Sequence, residues 1–212
     1  MDTQAHWEQV YGTKSPQETS WYQPHLRTSL DWISHAANEQ AARIIDVGGG
    51  ESTLVDDLFA MGYSALTVLD VASAAIKKSQ ERLGPAAQSV DWLVGDATVA
   101  ALPARTYDIW HDRAVFHFLT EPEQREAYVR QLSSALKSGG QVIIATFGPQ
   151  GPQKCSGLDT RRYDAEALQN EFGPDFRLVR SSILQHQTPM GATQQFLYCQ
   201  FSFSPPQEGP TS

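Results

Sequence analysis

The chain has 212 residues, 41% hydrophobic and 19% charged, and a formal net charge of -8. That length suits one well-buried domain with a short extension at each end, and no apolar run approaches the ~20 residues a membrane-spanning helix needs, so no membrane partner is expected. Nucleic-acid binding draws most of its affinity from basic side chains on phosphates, so this acidic balance argues against nucleic-acid partners.

The N-terminal Met1-Asp-Thr-Gln-Ala-His-Trp7 has no basic region leading into an apolar core, so no secretory signal is expected. Trp7 and Tyr11 stand at i and i+4, and Trp21-Tyr22 precede an amphipathic run through Leu26, Leu30 and Ile33. That spacing predicts a helical cover over residues 1–40. Short β-rich runs near residues 43–47, 65–70, 90–94, 106–111 and 140–147 then alternate with helical stretches near 52–61, 72–83 and 122–137. This is the rhythm of a doubly wound α/β domain, a mostly parallel sheet with helices on both faces, spanning residues 41–204. The glycines in Lys137-Ser-Gly-Gly140 are expected to stop the third helix. Beyond a Gly- and Pro-rich loop at 148–157 lie a helix near 164–172 and runs near 176–185 and 193–203, whose alternation predicts antiparallel edge strands. Residues 205–212 read as a disordered tail. Lys77-Lys78 reads as a solvated helix face. Cys155 and Cys199 are too few and too isolated for a disulfide framework or a zinc site, so no metal and a reducing, cytoplasmic setting are expected.

The stretch Arg43-Ile-Ile-Asp-Val-Gly-Gly-Gly-Glu-Ser52 says most about chemistry. An apolar run ends in Asp46 and opens into Gly48, Gly49 and Gly50, where the first strand turns into its helix and ligands of such sheets bind. A dinucleotide fingerprint would place a third spaced glycine where Thr53 stands, and Asp46 with Glu51 would repel a pyrophosphate. These features disfavour a nicotinamide oxidoreductase and favour a cationic ligand. Asp70, 22 residues beyond Gly48, is placed to accept bonds from two ribose hydroxyls, and Asp96 in Val94-Gly-Asp-Ala97 to reach an adenine edge. Each aspartate taken alone is also what a turn or helix cap uses.

Together, Asp-Val-Gly-Gly-Gly, Leu-Asp-Val71, Gly-Asp-Ala97 and Lys-Ser-Gly-Gly-Gln-Val-Ile-Ile resemble the successive motifs of class I S-adenosylmethionine-dependent methyltransferases, over roughly residues 40–147. The resemblance implies a seven-strand sheet whose last strand inserts antiparallel, and S-adenosyl-L-methionine as cofactor. It assigns the glycine turn to the methionine part, Asp70 with Val71 to the ribose and Asp96 with Ala97 to adenine. Trp21 and Tyr22 resemble the aromatic lid of some lysine and thiol methyltransferases, or else pack the N-terminal helix.

Methyl transfer asks an enzyme mainly to position a nucleophile and, where needed, remove its proton. The segment after the fourth strand, Asp108-Ile-Trp-His-Asp-Arg-Ala-Val-Phe-His-Phe-Leu119, offers His111, Asp112, Arg113 and His117 as candidate catalytic groups, with Trp110, Phe116 and Phe118 as apolar walls. His111 is equally readable as a satisfied strand-end histidine beside the cofactor, Asp112 with Arg113 as a simple pair, and His117 as a core residue. No Asn/Asp-Pro-Pro-aromatic signature is present, which argues against exocyclic amines of bases and protein glutamine as acceptors. Trp-His-Asp-Arg113 faintly resembles the matching segment of thiol and thiopurine methyltransferases. The leading expectation is methylation of a small molecule, a thiol being the favoured nucleophile. Protein lysine methylation is the alternative, and a non-catalytic cofactor-binding regulatory subunit a third reading.

Overall fold

The computed structural model describes residues 3–37 and 39–205. The predicted disordered tail therefore lies, beyond Pro205, outside the described residues. The chain opens with α1 (Thr3–Thr13) and α2 (Arg27–Ala36), joined through a short 3-10 turn at Pro16–Glu18. Then follow β1 (Ile44–Val47), α3 (Leu54–Ala60), β2 (Leu66–Asp70), α4 (Ser73–Leu83), β3 (Val90–Val94), β4 (Tyr107–Arg113), α5 (Pro122–Ala135) and β5 (Leu136–Phe147). A small ribbon of β6 (Lys154–Cys155) and β7 (Leu158–Asp159) precedes α6 (Ala165–Phe172), β8 (Phe176–Gln187) and β9 (Thr193–Phe203).

The main sheet has seven strands in the order β3-β2-β1-β4-β5-β9-β8. The first five are parallel, and β9 runs antiparallel to both β5 and β8. The doubly wound sheet with an antiparallel last strand is thus as expected. One placement differs: β9 lies inside the sheet rather than at its edge, and β8 forms the edge. Nearly every residue of β9 is buried, whereas β8 alternates. The polar members of β9 that suggested an edge have internal partners, as Gln200 does in Arg180 and Gln141.

Strand alternation distributes the core to two faces. Ile45, Trp110 and Ile144 face Tyr128 and Leu132 of α5 and Leu168 and Phe172 of α6. Ile44, Ile109 and Ile143 face Ile33 of α2, Leu54 and Leu58 of α3 and Ile76 of α4. Each such side chain contributes ~1.5–3 kcal/mol on full burial. α5 ends at Ala135, and Leu136 already pairs with Tyr107 while Gln141 pairs with Ile109. Residues 137–140 therefore bulge opposite Asp108, whose carboxylate takes Lys137 Nζ and the Arg43 N–H, each at 2.8 Å. The glycines shape a strand entry rather than stopping the helix.

Candidate active site

Of the candidate cofactor residues, Asp46, the three glycines, Asp70, Val71, Asp96 and Ala97 lie at the carboxyl ends of β1, β2 and β3 or in the turns that follow, whereas His111 lies in β4 and Trp21 between α1 and α2. At the turn after β1, Gly48 and Gly50 take φ of +67° and +50°, where a Cβ is strained. The turn is also tightly covered: a side chain at Gly48 would run into Val115, and one at Gly50 would meet Tyr11 Oη at 2.6 Å. Gly49 packs the other way, against Asp46 and Val68.

Asp46 does not face an open cavity with a free charge. It stands in register with His111 across β1 and β4, and its Oδ1 accepts from His111 Nδ1 at 2.7 Å. His111 Nε2 lies 2.8 Å from Ser29 Oγ of α2, which in turn lies 3.4 Å from Tyr198 Oη of β9. Because a carboxylate only accepts, Nδ1 carries a proton toward Asp46, and Nε2 shares the second hydrogen bond with the Ser29 hydroxyl. The second carboxylate at the turn, Glu51, is buried and paired with Lys78 Nζ at 2.5 Å. Lys78 also donates to the carbonyls of Tyr11 and Lys14, so it is not the solvated lysine its sequence context suggested. Much of the cation demand at the turn is met by the protein itself.

Asp70 differs, for no cationic side chain pairs with it among the described residues. It is 5% exposed, and its Oδ1 accepts the Ala72 N–H at 2.8 Å. Burial pushes its carboxyl up to about 7, against the pull of the Ala72 amide. A buried carboxylate with unused acceptor capacity, at the rim of a crevice, fits a pair of ribose hydroxyls. Asp96 is exposed at the same crevice, with Oδ1 closing a turn on Thr98 N and Oγ1, and Ala97 is buried beside it. Asp96 thus both closes a turn and borders the crevice.

The crevice runs from Asp96, Asp70 and Val71 past Gly48 to the ends of β4, β5 and β9. Trp7 and Tyr11 of α1 and Trp21 line it, and Trp7 packs edge-on against Trp21 and Phe118, at centroid distances of 5.7 and 5.2 Å. Glu8 fastens α1 to the N-terminus of α4, accepting Ser73 N–H at 2.7 Å and Ala74 N–H at 3.1 Å. Burial and the nearby Asp70 and Glu51 carboxylates push the Tyr11 phenol well up, so it stays a donor.

The four β4-side candidates separate. Residues 111 and 113 share one face of the strand, and 112 the other. Arg113 lines the crevice, donating from a terminal nitrogen to the Trp21 carbonyl at 2.9 Å, with its guanidinium 4.8 Å over the Phe196 ring. His111 sits behind the glycine turn, 1% exposed, in a smaller recess with Asp46, Trp21 and Arg113. Asp112 is fully buried beneath the sheet end, where it takes Tyr128 Oη at 2.6 Å and the amides of Val115 and Phe116. Burial raises its carboxyl to about 6, against those bonds. It does not pair with Arg113. His117 is also fully buried, stacked on Phe147 with Nδ1 accepting that residue's N–H at 3.2 Å. Burial lowers its imidazole to about 3, so it is neutral at ordinary pH. Neither Asp112 nor His117 is among the crevice-lining residues, so their expected catalytic positions are not the ones observed. Trp110 and Phe116 likewise belong to the core beside Tyr128, and only Phe118 of the three expected walls lines the crevice.

Trp7 and Tyr11 line the crevice as members of the predicted helical cover, whereas nothing in the sequence singled out Val115, Gln124 or Phe196, which line it too. The i, i+4 spacing of Trp7 and Tyr11 was a usable signal of an apolar helix face, but not of where it docks. Cys155 lines the crevice, its thiol pushed up by burial and 3.8 Å from Ser20 Oγ. His186 lies outside the crevice lining and hydrogen-bonds the Ser20 carbonyl and the Gln23 side chain.

Residues 44–140 match the family model described as a methyltransferase domain. Over that stretch the chain is similar to a methyltransferase domain. Curated relatives of the chain include the Drosophila melanogaster eEF1A lysine and N-terminal methyltransferase homolog, 26% identical over 65% of this chain and 21% of that protein. Another is the malonyl-[acyl-carrier protein] O-methyltransferase of Anoxybacillus flavithermus, 29% identical over 71% of this chain and 57% of the relative. The chain thus spans about a fifth of the first relative's length and under two thirds of the second's. A structure solved for the conversion of a disulfide bond into a thioacetal group during echinomycin biosynthesis superposes with a TM-score of 0.75 at 17% identity, covering 95% and 93% of the two chains. A methyltransferase from Anabaena variabilis does so at 0.72 and 16% identity, covering 96% of each. At such identities these likenesses speak for the fold. Among the described residues no helix is long and apolar enough to cross a membrane.

Proposed function

We propose that this protein transfers a methyl group from S-adenosylmethionine to a nucleophile of a small molecule, with a thiol as the favoured acceptor atom. The cofactor supplies an electrophilic methyl on a sulfonium. In this reading Asp70 and Val71 hold the ribose, Asp96 and Ala97 the adenine, and the glycine turn with Asp46 the methionine end. Helix α1 and Trp21 act as a lid that excludes water, and Arg113 and the aromatic rings orient the acceptor.

The observation that carries the reading is the composition of the crevice at the β4–β5–β9 end. It is walled by Trp21, Phe118, Phe147, Cys155 and Phe196 around Arg113, while His111 and His117 are engaged behind the wall. The acceptor must bring a nucleophile that needs little help to ionise. A thiol, with pKa ~8.5, meets that demand better than a lysine at ~10.4, whose ammonium would also meet a cation here.

Protein lysine methylation is the second reading, favoured by what the eEF1A-type relatives are named for. Methyl-labelled cofactor incubated with a lysate split into protein and low-molecular-mass fractions, alongside a panel of thiols, tests the choice. Label is expected in the small-molecule fraction and on thiols; label in protein alone overturns the proposal.

A further inference from the structure

Among the described residues, no carboxylate pairs with the Arg113 guanidinium. Its carboxylate neighbour in sequence, Asp112, turns to the other face of the sheet and is taken by Tyr128 and two backbone amides. The Nε of Arg113 is buried without a partner among the described residues, and its bond to the Trp21 carbonyl uses one terminal nitrogen. An aromatic face under the guanidinium, Phe196, offsets part of the lost hydration, but a half-buried cation in an apolar setting stays costly until an anion arrives.

Position says which anion. The acids of the crevice, Asp96 and Asp70, stand at the ends of β3 and β2, and the glycine turn at the end of β1. In sheet order the guanidinium lies beyond all three, over Phe196 of β9, which pairs with Phe147 of β5. The β3–β2–β1 side is the cofactor's side in the reading above, so the β4–β5–β9 side is left to the acceptor. A guanidinium presents its N–H groups in a planar fork matched to a carboxylate, and the walls around it are aromatic.

We propose that the acceptor is a small organic acid with an apolar or aromatic body, whose carboxylate is held by Arg113. This inference rests on the small-molecule reading above and narrows its substrate class. It also disfavours lysine side chains as acceptors, because the same cation that holds an acid repels an ammonium.

The test uses the whole chain saturated with the product cofactor, S-adenosylhomocysteine, whose binding is measured first by calorimetry. The probes are benzoate and 3-phenylpropionate against their neutral amides, benzamide and 3-phenylpropionamide. The acids are expected to bind at least about tenfold more tightly than the amides, as for loss of a charge-assisted bond. Arg113→Gln is expected to abolish that preference, and Arg113→Lys to restore part of it, with melting curves confirming that each variant is folded. Equal binding of acids and amides, or failure of both acids to bind, overturns the inference. So does loss of cofactor affinity in Arg113→Gln, because the guanidinium would then be holding the cofactor's own carboxylate. Failure of the small-molecule reading is separately visible: label would go to protein alone in the lysate experiment, whatever the acid-to-amide ratio.

Discussion

His111 and Asp46 face each other in register on adjacent strands, and the 2.7 Å bond between them continues through Ser29 to Tyr198. One histidine thereby joins β1, β4 and α2 directly behind the glycine turn. Its two ring nitrogens are both occupied, which gives it a positioning role for the turn and for the helix that covers it. His111→Ala is expected to leave Asp46 and Ser29 unsatisfied and to cost ~1–3 kcal/mol of stability in urea unfolding. Transfer by the folded variant should keep the wild-type shape of its pH profile. A loss of ~100-fold or more in kcat at unchanged stability would instead make His111 the proton acceptor.

Asp70 carries the ribose in the proposed site. Asp70→Ala is expected to weaken cofactor binding by well over about tenfold, the worth of charge-assisted bonds to hydroxyls. Calorimetry on a variant shown to be folded checks this, and unchanged affinity would remove the ribose assignment.

The same carboxyl has a pH signature. Its folded value is raised from 3.8 to about 7 by burial, so the folded chain keeps a proton that the unfolded chain releases. Its contribution to stability is therefore full below about 4 and declines as pH rises to about 7. Asp112, raised to about 6, acts in the same direction, and His117, lowered to about 3, in the opposite one. The informative quantity is thus the difference between Asp70→Asn and wild type, which should grow in favour of the variant from about pH 5 to about pH 8. A difference that stays flat with pH would show that Asp70 ionises freely. Cofactor affinity of the wild type should rise over the same range, as ribose hydroxyls donate to the ionised form.

Beside the apolar packing of Trp7, Val10 and Tyr11 on Ala72 and Ala75, helix α1 is held by Glu8 on the α4 N-terminus and by Lys78 on the carbonyls of Tyr11 and of Lys14 just past its end. Glu8→Ala is expected to cost ~0.5–2 kcal/mol, as for loss of a cap, and to expose residues 13–20 to limited proteolysis. Saturating cofactor should slow that cleavage if α1 closes on it. Equal cleavage with and without cofactor would argue that α1 is a fixed wall.

The element order and the cofactor motifs were legible because each is written in neighbouring residues. β-rich runs ending in Asp46 and Asp70, and glycines where positive φ is needed, declare themselves over a few positions. The burial of β9 was not, because Gln195 and Gln200 look like an exposed face until Gln150, Arg180 and Gln141 supply their partners. The separation of the β4 candidates was partly legible. Strand alternation already sets Asp112 opposite His111 and Arg113, yet which face meets the crevice depends on helices from both ends of the chain.

From consecutive residues alone follow the parallel core, the glycine turn, the two acids after β2 and β3, and through them the cofactor. The tertiary structure decided which charges are free to meet a ligand. Glu51 is answered by Lys78, Asp46 by His111, and Asp112 by Tyr128, each across 16 or more residues of chain. Among the described residues, no carboxylate answers Arg113, and its Nε is buried without a partner. A charge's chemistry depends on what surrounds it, and those surroundings are assembled from segments that only folding brings together.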